Sequence, residues 1–207
     1  ARLDRRIATG AVTVPIMSTA YALFDTAIGG CAIAWSGAAI VALQLPEADD
    51  AHTRARVLRR WPGAQEQPPP PVIQRAVDAV VALLSGAVAD LAAVVLDMER
   101  VPAFDRRVYE VARTIAPGET LTYGDIATRL GDPDAARRVG QALGRNPFAI
   151  IVPCHRVTAA GGKAGGFSAT GGVATKLRLL EIERAHLGRG PTLFDRDDAF
   201  ARLQRRG

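Results

Sequence analysis

The chain has 207 residues, 48% hydrophobic and 23% charged, which suits one large or two small packed domains and excludes a disordered tail. Its two cysteines, Cys31 and Cys154, exclude a disulfide scaffold and cannot fill a cysteine-rich zinc site. The net charge of +5 is uneven: residues 1–100 carry 9 basic and 10 acidic side chains, residues 101–207 carry 17 and 11.

Residues 1–18 read as a tail. Arg2, Arg5 and Arg6 ahead of an apolar run imitate an export signal, but Thr9, Gly10, Thr13 and Pro15 interrupt that run. The uncharged stretch 26–46 is long enough to span a bilayer. It contains Gly29-Gly30 and Trp35-Ser36-Gly37, however, and reads as strands joined by a hairpin. The expectation is a soluble, cytoplasmic protein with no membrane partner. Strands are predicted at 21–25, 31–35 and 40–45, and a helix at 50–61. Pro68-Pro69-Pro70-Pro71 is a stiff spacer. A helix over 72–84 follows, with Val72, Ala76, Val80 and Leu84 on one face, then a strand at 91–96. Residues 19–100 thus form a small α/β domain, a sheet with flanking helices, whose role is structural.

A second domain is predicted over 101–187, followed by a tail over 188–207. Its first helix, 102–115, carries Phe104, Val108, Val111 and Ile115 as an apolar stripe. Thr122 and Asp125 mark a capping box for a short helix, 123–130, which Gly131 ends. Asp132-Pro133 supplies an N-cap and a first-turn proline for a helix over 133–143. Helix, tight turn and helix is the spacing of a helix-turn-helix, although many such pairs never touch DNA. Residues 129–178 hold eight basic and two acidic side chains, which is either a solvated face or a surface for a polyanion. In the second helix Ala135, Ala136 and Gly140 are small enough for close approach to a groove. Arg137 and Arg138 beside them suit shape-based, minor-groove contact better than base-edge readout.

Ile150-Ile151-Val152 is a buried-strand type of run, and Pro153-Cys154-His155-Arg156-Val157 follows it. A free thiol is mostly protonated at neutral pH and needs a base and positive surroundings to act as a nucleophile. His155 is a candidate base and Glu183 a candidate third member. Adjacent residues of an extended segment point to opposite sides, so the proton path calls for a bridging water. A buried thiol beside a structural histidine has the same sequence, and the residues by themselves leave both readings open. Cys31, His52, His155 and His186 show no metal-ligand spacing, so no metal site is expected.

Asn146-Pro147, Ile151-Val152-Pro153-Cys154-His155-Arg156-Val157 and Gly165-Gly166-Phe167-Ser168 resemble the signature of the O6-alkylguanine-DNA alkyltransferases, also called methylated-DNA–protein-cysteine methyltransferases. The resemblance runs from about residue 102 to 183, through Tyr123-Gly124-Asp125-Ile126-Ala127 and Ala135-Ala136-Arg137-Arg138-Val139-Gly140. It implies DNA repair by irreversible, single-turnover transfer of the alkyl group of O6-alkylguanine to Cys154, with O4-alkylthymine a second candidate substrate. The target base would be flipped out of the duplex. Arg137 resembles the family's arginine finger, which fills the vacated space. Tyr123 matches a tyrosine that turns the 3′ phosphate and donates to guanine N3, and Ser168 a residue on the O6 side. The carbonyls of Cys154 and Val157 would accept from the exocyclic amine. Asn146 matches a structural asparagine, and Lys176 a lysine beside the pocket.

Three departures concern the pocket rim. Phe167 stands where many members have Tyr, and Ala149 where many have Pro. Ser168-Ala169-Thr170-Gly171-Gly172 is two residues longer than the commoner Ser-Gly-Gly. Together they leave open whether groups larger than methyl fit. The resemblance thus implies an α/β N-terminal domain plus a mostly α, winged helix-turn-helix C-terminal domain. It also implies no cofactor, a monomer in solution, double-stranded DNA carrying O6-alkylguanine as partner, and a bacterial-type cytoplasmic location, nucleoid-associated when bound. A binding-only lesion sensor would lack the reactive cysteine, and a winged-helix redox regulator would not need Tyr123, Asn146 and Ser168.

Overall fold

Alternating apolar residues between turn signals fold into three antiparallel strands, β1 (Ala20–Thr26), β2 (Gly29–Ser36) and β3 (Ala39–Gln44). They belong to a computed structural model that describes residues 18–187. The expected tails, 1–18 apart from Ser18 and 188–207, lie outside the described residues. A two-residue strand, β4 (Gln65–Glu66), pairs parallel with β1 and completes a mixed sheet of order β3-β2-β1-β4. The uncharged 26–46 stretch is therefore sheet, and among the described residues no helix is long and apolar enough to cross a membrane.

One face of the sheet, with Tyr21, Ala32, Ala34 and Ala42, packs on Val57 of α1 (Asp50–Arg60). The side chain of Asp49 caps that helix, accepting from His52 N at 2.9 Å. The other face carries Ile33, Trp35, Ile40 and Leu43 into the main core. Ile40 and Leu43 share that face because the β2–β3 register shifts between Ala34 and Trp35. A bulge resets the two-residue alternation. The outer edge of β3 is covered rather than free. Ile40 N donates to Val95 O at 2.9 Å, and Leu43 N to Pro147 O at 2.8 Å.

Two expectations for this half are corrected. In α2 (Pro71–Leu84) Ala76, Val80 and Leu84 face the core as expected, joined by Ile73 and Val77, but Val72 is 39% exposed. Four-residue steps drift by about 40°, so the row enters the buried arc only after Val72, its first member. Residues 91–96 do not form a strand; only Leu96 bridges to Ile40. Asp90 Oδ1 accepts from Ala92 N, and Arg113 Nη2 donates to the carbonyls of Leu91, Ala92 and Val94 at 2.7–3.1 Å. Side chains thus meet four of the backbone polar groups of residues 91–94, where a ladder would otherwise be needed, and Val95 O is met by the sheet, through Ile40 N.

The second half is helical: α3 (Ala103–Arg113), α4 (Tyr123–Arg129), α5 (Ala136–Gly144) and α6 (Gly172–Leu187). A short parallel pair, β5 (Leu121–Thr122) with β6 (Val157–Thr158), lies among them. The α3 stripe is offset from expectation: Asp105, Val108, Tyr109 and Ala112 are buried, while Phe104 and Val111 are half-buried. Asp105 is accepted there because Arg145 grips both its oxygens at 3.0 Å. Tyr109 OH donates to Ala142 O of α5 at 2.9 Å. Tyr109→Phe is expected to cost about 1 kcal/mol in urea unfolding, since Ala142 O keeps a second donor, Arg145 N.

The predicted capping box is present, with Thr122 and Asp125 bonded reciprocally. The following helix differs from its expected form. Residues Pro133–Ala135 make a 3-10 turn, and the α-helix starts at Ala136. Asp132 gives no side-chain cap; its carboxylate lies 3.3 Å from Arg138 Nη1 instead. One apolar core extends from Ile33 and Val80 through Val108 and Val139 to Val152, so both halves support the segment around Cys154.

Candidate active site around Cys154

Residues 150–152 are buried as expected, but they form a turn and not a strand. Ile150 sits at φ 68°, a left-handed conformation that costs a β-branched residue about 1–3 kcal/mol. Hydrogen bonds hold this turn. Val152 N donates to Phe148 O, and Asn146 uses both ends of its amide, Nδ2 to Val152 O and Oδ1 from Phe148 N, all at 2.8–2.9 Å. The chain then enters a 3-10 turn, Cys154–Arg156, so Cys154 and His155 are not on an extended segment.

His155 is 1% exposed, with Nε2 2.9 Å from Glu183 Oε1. Arg156 also binds Glu183, through Nε at 3.0 Å and Nη2 at 2.7 Å, and its Nη1 donates to Ile115 O. Burial alone would raise the Glu183 carboxyl; His155 and Arg156 outweigh it and hold it at about 2. Burial lowers the His155 pKa, against the pull of Glu183, and favours the neutral ring. An anionic acceptor at Nε2 assigns the ring proton to that nitrogen. Nδ1 is then a lone pair, and it has no partner among the described residues. The pentapeptide offers Arg156 as a positive neighbour of the thiol and holds no signal that Arg156 and His155 share one carboxylate.

Burial pushes the Cys154 thiol above its ordinary value, while Asn146, the charge of Lys176 and the N–H groups of Cys154 and His155 pull it down. Lys176 is fully buried, and burial lowers it to about 8. Its Nζ donates to Val157 O at 2.5 Å and approaches Gly166 O at 3.5 Å. The Val157 carbonyl therefore has one lone pair left.

Two clefts meet at Cys154. One, of about 480 Å³, is also lined by Tyr123, Ala136, Arg137, Gly140 and Ser168. Tyr123 OH reaches Gly166 O at 3.4 Å, and burial raises its phenol, which keeps it protonated. A Cβ on Gly165, at φ 74°, would lie 3.0 Å from the Tyr123 ring and hydroxyl, so only glycine lets the loop close over that ring. Arg137 is exposed at the rim and has no ion-pair partner among the described residues. Arg138 is engaged, by Asp132 and by the Phe104 ring 4.1 Å away. Ala135 is only 2% exposed and belongs to the core, so Ala136 takes the surface place expected of both alanines. Phe167 and Ser168 line both clefts. Among the described residues no group of three His, Cys, Asp or Glu is arranged for a metal ion.

Residues 103–185 match the family described as 6-O-methylguanine DNA methyltransferase, DNA binding domain. The methylated-DNA–protein-cysteine methyltransferase of Mycobacterium tuberculosis is 39% identical over 175 residues, 84% of this chain and 98% of that protein. The bifunctional transcriptional activator/DNA repair enzyme Ada of Escherichia coli is 36% identical over 81% of this chain and 46% of its own length. The fold is similar to Mycobacterium tuberculosis OGT in complex with DNA, with TM-score 0.66, 36% identity and coverage of 85% and 98% of the two chains. The O6-methylguanine-DNA methyltransferase of Pyrococcus kodakaraensis superposes with TM-score 0.62 at 27% identity, covering 80% and 98%. The reactive-cysteine signature, the fold that seats it and this near full-length identity together make the chain a member of the methylated-DNA–protein-cysteine methyltransferase family.

Proposed function

We propose that Cys154 accepts the alkyl group of O6-alkylguanine from a base flipped out of double-stranded DNA, with Tyr123, Arg137, His155 and Glu183 in the roles described next. Direct repair of alkylated DNA by a suicide methyltransferase is the activity of the family. The observation that carries the residue-level reading is that a rim arginine and a protonated tyrosine line one cleft with Cys154, whose chain neighbour His155 is buried against Glu183.

In this reading His155 Nδ1 takes the thiol proton through a water, and Glu183 steadies the imidazolium that forms. Arg156 holds Glu183 ionised. Lys176 and Asn146 lower the cost of the thiolate in its buried setting. The sulfur attacks the alkyl carbon; the S–C bond forms as the C–O6 bond breaks, and the electron pair leaves with guanine. Tyr123 donates to N3 and stabilises that leaving anion. Ser168 lies at the O6 side, and Phe167 and Val157 bound the base. The thioether has no route back, so each molecule acts once and needs no cofactor.

Arg137 enters the base stack while Ala136 and Gly140 allow the backbone to approach the groove. Helices α4 and α5 with the β5–β6 pair then act as a winged helix-turn-helix over residues 101–187, and residues 19–100 act as a structural domain. The protein works as a monomer, and its reduced thiol and DNA substrate suit the cytoplasm and nucleoid.

Intact mass after incubation with a duplex containing O6-methylguanine tests the reading. A stoichiometric gain of one methyl on the peptide holding Cys154, absent in Cys154→Ala, is expected. Tight binding with unchanged mass would overturn it and leave a lesion sensor.

A further inference from the structure

The loop that carries Phe167 and Ser168 over Cys154 is tied to the N-terminal half by one side-chain pair. Thr170 Oγ1 donates to Glu47 Oε2 across 123 residues of sequence. Glu47 lies just beyond β3, and its side chain is 15% exposed. Its other oxygen, Oε1, is already held by Arg56 Nε at 3.1 Å and Gln44 Nε2 at 3.2 Å. The carboxylate is thus oriented from its own half and presents Oε2 to the loop. On the loop side, Thr175 Oγ1 donates to Thr170 O at 2.7 Å and Gly172 N to Ala169 O at 2.9 Å. Those bonds shape the loop's end but do not attach it to the N-terminal half.

The attachment lies beside the second cleft at Cys154. This cleft, of about 350 Å³, runs past Ala149, Phe167 and Ala169 towards Leu45, Arg56 and Trp61. Its floor belongs to the N-terminal half, and Phe167, Ser168 and Ala169 of the loop line it as well. Neither Glu47 nor Thr170 bonds to His155, Glu183, Tyr123 or Arg137, so releasing this pair alters the loop that lines the cleft and not those side chains' own bonds.

We propose that Glu47 is a positioning residue: through Thr170 it clamps the active-site loop and thereby sets how large an alkyl group can reach Cys154. This rests on the proposed alkyl transfer and assigns the N-terminal half a part in substrate choice. Methyl fits with the clamp closed. Larger, flat substituents need the space beside Ala149 that the clamp restricts.

The test compares second-order rates of Cys154 alkylation by free O6-methylguanine and O6-benzylguanine bases, read by intact mass. Thr170→Val is isosteric at an exposed residue and removes only the hydroxyl. In Thr170→Val and Glu47→Ala the benzyl-to-methyl rate ratio is expected to rise about tenfold, the low end of the scale for a hydrogen bond to a charged group. Affinity for undamaged duplex should not change. Thr170→Ser keeps the hydroxyl and should restore the wild-type ratio. Arg178→Met breaks a different tie between the halves, the bond to Ala27 O, and should leave the ratio alone. An unshifted ratio in Thr170→Val, or an equal shift in Arg178→Met, would overturn the clamp while the alkyl transfer stands. A wild-type protein that gains no alkyl mass would overturn both.

Discussion

Glu183→Gln is expected to slow alkyl transfer about 10²–10⁴-fold, the range of a lost general-base function, with duplex affinity unchanged. Glu183 accepts from His155 Nε2 and leaves Nδ1, without a partner among the described residues, to serve as the proposed proton acceptor. A glutamine amide removes the charge opposite the imidazolium and can present either end to the ring. The same change leaves Arg156, whose side chain is 7% exposed, without its counter-charge, which typically costs 3–5 kcal/mol. This stability loss has a pH signature. The Glu183 carboxyl is held at about 2 against an ordinary 4.5, so its stabilisation is complete above pH 4.5 and disappears as pH falls through about 2. The shift corresponds to about 3 kcal/mol. Denaturant midpoints of wild type and Glu183→Gln should therefore differ fully above pH 4.5 and converge only as pH falls to about 2. A gap that does not vary with pH would mean that folding leaves the Glu183 pKa at its ordinary value.

Arg137→Ala should reduce repair of duplex DNA roughly 10²–10³-fold while altering reaction with free O6-methylguanine base little. Flipping a nucleotide costs a few kcal/mol of stacking and pairing, and an inserted side chain offsets part of it. The free base requires no flipping, so equal losses on both substrates would refute the finger role. Arg138→Ala is the comparison. Arg138 is engaged by Asp132 and Phe104, so its loss should affect duplex repair far less. Binding should weaken with salt as phosphate contacts release counterions, and Arg137→Ala should lower that slope by about 1.

Short-range signals were legible along the chain. The three strands of the first half follow from alternation and turn residues, and α4 from Thr122 and Asp125. Where side chains far away supply the hydrogen bonds, the same rules fail. Residues 91–96 have strand-forming composition but bond to Arg113 and their own Asp90. Residues 150–152 are apolar enough for a strand, yet Asn146 and Phe148 hold them in a turn with Ile150 left-handed. Asp105 interrupts the α3 stripe because its partner, Arg145, comes 40 residues later.

The chemistry of the site, by contrast, was concentrated in sequence. Pro-Cys-His-Arg-Val, with Asn146, Tyr123 and Ser168 at family spacing, marks the proposed nucleophile, base and pocket because such groups would act through their own atoms. Only the tertiary structure decided which histidine nitrogen is free, that Arg156 shares Glu183, that Ala135 is core, and that Glu47 meets Thr170. Each of these depends on burial or on pairs 27 to 123 residues apart. Local propensity has no term for either, since desolvation and long-range hydrogen bonds arise only once the core has closed. The uneven charge follows the same division: the sequence located the excess in the second half, and the fold left Arg137 free at the cleft while Arg138, Arg145 and Arg156 were tied to carboxylates.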